Sequence, residues 1–220
     1  MCGRFVNAET DDAVEYFDIR ETISRLFVSW DVRPTTRIGI IIDHAGTGIA
    51  RPIRQLRAAR WGLIPSWSKT ADPKLRLINA RAETVLSKPS FCTAARQRRA
   101  IVPAQGYYEW AQNPDGTKTP YFLHDPTQPI LGFAGLYEYW RVPDSQTMPG
   151  TEEGWLCTAT IITRAATDAL GHIHDRMPLI VPRDTTDQWL DPATTNTDQI
   201  DAIIHAIPDS TLVPVERQPG

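Results

Sequence analysis

"AIVPAQGYYEWAQNPDGTKTPYFLHD" occupies residues 100–125, and its reading decides how the chain folds. Its middle, "NPDG" (113–116), supplies Pro, Asp and Gly, each suited to a turn for its own reason. On either side lie stretches rich in apolar and aromatic residues, so the whole reads as a hairpin. The pattern continues downstream. "PILGFAGLYEYW" (129–140) supplies a third strand and "WLCTATIIT" (155–163) a fourth. "RIGIIID" (37–43), "MPLIVP" (177–182) and "STLVPVE" (210–216) also read as strands. Helices are expected where apolar residues recur at helical spacing: 7–17 with Thr10 as N-cap, 164–174 ending near Gly171, 183–190, and 196–207. The expected fold class is α+β. A single domain over residues 1–220 would hold a curved, mostly antiparallel, barrel-like sheet with peripheral helices.

The bulk numbers agree with that. At 220 residues and 41% hydrophobic content, the chain can bury a sizeable core without disulfide staples. No apolar run approaches the roughly 18 residues of a membrane span, and no basic-then-apolar leader opens the chain, so no membrane partner and a cytoplasmic location are expected. Cys2, Cys92 and Cys157 are odd in number and widely spaced, which argues against a disulfide framework and a zinc pattern. His172 and His174 share a spacing of two without a third ligand nearby, so no metal and no other cofactor is expected.

The net charge of −3 discourages a nucleic-acid reading, but its distribution says something else. Between Arg51 and Arg99 twelve Lys/Arg face two acids, a local +10 inside an otherwise acidic protein. Charge alone leaves two readings open: an anion-binding face, or a surface whose partner acids lie elsewhere in the fold.

Four stretches are more specific than packing requires. "MCGRF" (1–5) places a thiol directly behind the initiator methionine, at a chain end that is ordinarily frayed and idle. N-myristoylation needs Gly at that position, so lipidation has no motif here. "LINARAET" (77–84) puts Asn79, Arg81 and Glu83 on alternating positions of an extended segment. "GYYEW" (106–110) sets Glu109 in an aromatic run, either as a solvent-face residue or as a desolvated acid fit for proton transfer. Strand alternation would leave Tyr107 and Glu109 on one face and Tyr108 and Trp110 on the other. "HDRMP" (174–178) brings His174 close to a guanidinium just before a strand.

Together with "WGLIPSW" (61–67), these motifs occur in an order and at separations that resemble the SOS response-associated peptidase family. Members of that family form covalent crosslinks with abasic sites in single-stranded DNA, and the resemblance covers essentially the whole chain. It implies Cys2, Asn79, Glu109 and His174 as catalytic residues, and DNA contacts from Arg4, Pro34, Trp67 and Arg81. Abasic single-stranded DNA is the implied partner, a monomer the expected state, and the nucleoid the location of the bound form. Weak abasic-site lyase activity and self-processing at Met1 belong to the same expectation. Two departures stand out. "WDVRP" (30–34) keeps Pro34 where the family often has Tyr-Asn-x-Ala-Pro, and Ser68 replaces a second Trp found in some members.

The chemistry explains the position of the cysteine. Removal of Met1 exposes an amine and a thiol on one residue. The amine, with an ordinary pKa of roughly 7.7–8.0, is partly neutral near physiological pH. It can attack the ring-opened aldehyde of an abasic site, and the thiol can then close a five-membered thiazolidine. An adjacent terminal ammonium would favour the thiolate. Two other classes remain open on residues alone: an N-terminal-nucleophile amidohydrolase or glutamine amidotransferase, and a non-catalytic single-strand DNA binder in which Cys2 is incidental.

Overall fold

The computed structural model describes residues 2–25, 28–46, 51–71, 77–144, 148–166 and 173–220. Its strands in chain order are β1 (Arg4–Asn7), β2 (Glu21–Thr22), β3 (Arg37–His44), β4 (Ile53–Trp61), β5 (Asn79–Arg81), β6 (Arg99–Gln112), β7 (Lys118–His124), β8 (Leu131–Arg141), β9 (Thr151–Glu152), β10 (Trp155–Ala165), β11 (Arg176–Pro178) and β12 (Val213–Glu216). Helices are α1 (Thr10–Tyr16), α2 (Cys92–Gln97), α3 (Thr186–Leu190) and α4 (Thr197–Ala206).

Five strands close on themselves. β3 pairs with β4, β4 with β10, β10 with β8, β8 with β6, and β6 returns to β3 through Ile41 and Ile101. The β4–β10 pair is parallel and the others antiparallel. Ile38, Ile40 and Ile42 point into this barrel with Ala100, Val102, Phe133 and Ile161. Ile41 and Ile101 point outward, into a second core shared with Trp189 of α3 and Ile200 and Ile203 of α4. "RIGIIID" therefore reads as an apolar run rather than an alternation because both faces of the strand are buried. Asn196 caps α4, its side chain accepting from the N–H groups of Asp198 and Gln199.

The details differ from the sequence reading in ways that have local causes. α1 begins at Thr10 itself; Glu9 is the cap, without a side-chain bond, and Thr10 is buried. "MPLIVP" gives a strand at Arg176–Pro178, since prolines at 178 and 182 lack the N–H a longer ladder needs. Leu179 and Val181 still donate to Ile162 and Gly132. Glu83 lies in the 3-10 turn Ala82–Thr84, so the extended segment ends at Arg81. In the stretch 164–174, Arg164 and Ala165 finish β10, and residues 167–172 lie outside the described residues. β4 and α2 went unanticipated because both lie in the basic segment, where arginines blur the apolar pattern. Among the described residues no helix is long and apolar enough to cross a membrane.

One irregularity positions the site. Across β1, Val6 faces Gly106 and Asn7 faces Ala104, so Gln105 is an extra residue, a β-bulge in β6. Before the bulge, Ala100, Val102 and Ala104 face the barrel interior. A regular strand would continue that face through Gly106, Tyr108 and Trp110. The extra residue shifts the parity, so Tyr107 enters the interior cluster while Tyr108 packs outside with Val6, Phe122 and Trp110. Glu109 follows Tyr107 inward and is 5% exposed.

Gly106 is required by close approach: a Cβ there would stand 2.5 Å from the Leu123 carbonyl oxygen and 2.6 Å from the Phe122 ring. Gly106→Ala is expected to force β6 and β7 apart at a cost of about 2–4 kcal/mol. Thermal denaturation should show this as a fall in Tm of roughly 5–15 °C.

Candidate functional site

A chain end reaches the interior here because it is stitched on both sides. β1 pairs with β6 along one edge. On the other edge Val32 N–H donates to the Phe5 carbonyl at 2.9 Å and Ser29 N–H to Asn7 Oδ1 at 2.6 Å. Phe5 is fully buried, edge-on to Trp61 (5.2 Å) and Phe133 (6.1 Å). This anchoring carries Cys2 into the same apolar cluster, with 0% exposure. Asn79, on β5, donates from Nδ2 to the Cys2 carbonyl oxygen at 2.8 Å. Its Oδ1 is buried without a hydrogen-bond partner among the described residues.

The thiol is strongly affected by its surroundings. Burial pushes Cys2 well above the ordinary thiol range, and the charge of Glu109 adds to that. Tyr107 is pushed up the same way, by burial first and then by Cys2 and Glu109. Cys2, Tyr107 and Glu109 therefore form one electrostatically coupled group inside the barrel wall. Burial opposes the thiolate, so the thiol here keeps its proton.

His174 lies on the segment entering β11. Its neighbours Ile173 and Met177 belong to the interior cluster that contains Cys2. Nδ1 of His174 stands 3.0 Å from the Arg176 backbone N–H and 2.8 Å from Asp175 Oδ1, and one nitrogen cannot serve both. Asp175 is 83% exposed and screened by water, so the amide is the orienting partner in the neutral ring. With Nδ1 accepting, the neutral imidazole carries its proton on Nε2.

Arg176 makes a fork to Glu83 at 2.7 and 2.9 Å and also donates to the Thr163 carbonyl at 2.6 Å. These bonds hold the Glu83 carboxyl below its usual range. The pair ties the turn after Asn79 to the segment of His174, over the β10 strand that both flank.

Trp61 joins the remaining parts. Its carbonyl accepts from Thr35 N–H at 2.8 Å, and its indole donates to the Ile78 carbonyl at 2.9 Å, next to Asn79. Pro34 is partly exposed in the turn Arg33–Thr36, where Thr35 has φ 73. A β-branched residue at positive φ stores on the order of 1–3 kcal/mol of strain, held here by those bonds. Trp67 is 62% exposed and so is not core. Trp140 steadies its loop by donating from the indole to the Ser68 carbonyl at 2.7 Å. Arg81 is exposed at the end of β5. Arg4 points away from Cys2, over the Trp110 ring at 5.4 Å and 3.3 Å from Asp31.

Part of the basic segment is structural. Arg54 pairs with Asp43 and Asp187, and Arg98 with Glu138. Buried Arg99 donates to the carbonyls of Ala95, Trp189 and Asp191, tying α2 to α3. For Arg54 and Arg98 the partner acids do lie elsewhere in the fold.

The closed barrel thus brings Cys2, one residue from the chain end, against half-buried Asn79 and near the charge of buried Glu109. The family model described as SOS response associated peptidase (SRAP) matches residues 1–218, and the chain belongs to that family. The abasic site processing protein YoqW of Bacillus subtilis (strain 168) is 35% identical over 207 residues, 93% of this chain and 86% of that protein. The abasic site processing protein HMCES of Gallus gallus is 35% identical over 178 residues, 74% of this chain and 53% of that longer protein. A crystallised protein from Bacteroides thetaiotaomicron shares the fold with a TM-score of 0.75 at 24% identity, over 93% of this chain and 86% of that one.

Sequence reasoning missed Tyr107 and the Glu83–Arg176 fork beside the candidate site residues. No local signal marks the fork, whose members are 93 residues apart.

The raised Cys2 and Tyr107 groups set a pH dependence. The folded thiol keeps its proton where an unfolded one, at about 8.5, has lost it, so the native state binds more protons and stability falls as pH rises through that value. Denaturant melts of the wild type should lose stability between about pH 8 and 10. Cys2→Ala should show a shallower slope over the same interval.

Proposed function

We propose that this chain senses abasic sites in single-stranded DNA and captures them covalently through Cys2 after Met1 is removed. Residues 1–220 act as one domain and as a monomer in this reading. The observation that carries it is the placement of Cys2 inside the barrel, held through its carbonyl by Asn79 and coupled to Glu109.

The α-amine of Cys2 adds to the C1′ aldehyde of the ring-opened sugar, and loss of water gives a Schiff base. The thiol then adds across the imine: sulfur bonds to C1′, and the thiol proton is passed on to nitrogen. In this reading Glu109 takes the proton from the thiol and returns it. His174, whose neutral ring carries its proton on Nε2, protonates the sugar oxygen as the ring opens. Asn79 orients the terminal residue. Arg81 holds a phosphate, and Trp67 and Pro34 offer apolar faces to flanking bases. The Schiff base also acidifies the C2′ protons, so slow strand cleavage by β-elimination is a side branch of the same site.

Protein lacking Met1 is mixed with single-stranded DNA carrying one abasic site and resolved on a denaturing gel. A shifted band that survives denaturation is expected, and Cys2→Ala abolishes it. Glu109→Gln should slow its formation by about 10²–10⁴-fold, with binding of undamaged DNA unchanged. Absence of the band with wild-type protein would overturn the reading.

A further inference from the structure

Arg4 lies two residues from the reactive cysteine, and Arg33 immediately precedes Pro34. The two share one carboxylate. Asp31 Oδ1 stands 3.3 Å from Arg4 Nε, and Oδ2 accepts from Arg33 Nε at 2.8 Å. The Asp31 side chain is 13% exposed, against 29% for Arg4 and 59% for Arg33. One anion bridging two guanidinium groups, one oxygen to each, is the arrangement a backbone phosphate would make with the same arginines. The carboxylate is tethered beside them, so a phosphate meets a competitor already in place at high effective concentration. The carboxylate also offsets one of the two charges of Arg4 and Arg33.

We propose that Asp31 is a built-in competitor for DNA phosphate at Arg4 and Arg33, and that it sharpens discrimination in favour of abasic strands. The inference rests on the DNA-binding reading given above. Phosphates are the same in damaged and intact DNA, so any affinity gained from them is lesion-independent. Holding that contribution down leaves retention to the covalent step, which needs the aldehyde. Asp31 is also separable from the fold. Its backbone N–H bonds Ser29 Oγ at 3.4 Å, a contact its side chain does not make. An amide of the same shape would still accept from Arg33.

The test is Asp31→Asn, with Asp31→Glu as the charge-conserving control. Binding of a labelled, undamaged single-stranded oligonucleotide is followed by anisotropy between about 50 and 200 mM salt. Asp31→Asn should bind about three- to tenfold more tightly at the low-salt end, with log Kd against log salt steepening by about 0.7 for each phosphate gained. Asp31→Glu should stay near wild type in both. With excess undamaged competitor present, Asp31→Asn should lose crosslinking to an abasic strand more than wild type does. Unchanged slope and affinity in Asp31→Asn, or weaker binding, would overturn the inference while leaving the crosslinking reading standing. Wild-type protein that binds no single-stranded DNA at any of these salt concentrations would remove both. If Asp31→Asn proves too unstable to purify, Asp31→Ser removes the same charge and is read by the same two quantities.

Discussion

A single extra residue in β6 governs the rest of this structure. Gln105 breaks the alternation of a strand that is otherwise regular, and everything beyond it exchanges faces. Without that shift Glu109 would stand outside the barrel, and Tyr108 and Trp110 would have to fit within. With it, a carboxylate enters a wall of Ile, Val and Phe side chains, and the aromatics that flank it cover the outer surface. The close approach at Gly106 makes the shift possible, because β7 passes where a side chain would otherwise be.

The second constraint is the anchoring of the N-terminus. Terminal residues usually fray because little holds them. Here β1 has partners on both edges and Phe5 locks against Trp61 and Phe133, so the residue just ahead is delivered to a fixed place. Burying a thiol beside a carboxylate opposes ionisation of the thiol, so Cys2 keeps its proton. Around this core, segments meet through polar contacts: Trp61 binds the Pro34 turn and the start of β5 through carbonyl hydrogen bonds, while the Arg176–Glu83 ion pair ties the end of β5 to the His174 segment. The candidate site is thus held by backbone and paired side chains from distant stretches of sequence.

Much of this was legible in the residues. The hairpin over 100–125, the strand at 37–43 and the helix capped by Asn196 follow from local pattern and turn chemistry. The β4 strand did not, because four of its nine residues are polar and its faces contact different cores. Charge was legible as an amount but not as an assignment. Arg99 and Arg54 serve packing and Arg81 faces solvent, yet all three look alike in sequence. Asp31 looked like a change within a loop and proved to be the shared partner of two arginines.

By itself the sequence determined the class of fold and the family, since those depend on residue type, order and local period. The tertiary structure decided which way Glu109 points, where the terminus is held, and which arginines remain available. Those are consequences of strand parity and of contacts between residues far apart in the chain, and neither is written in any local stretch.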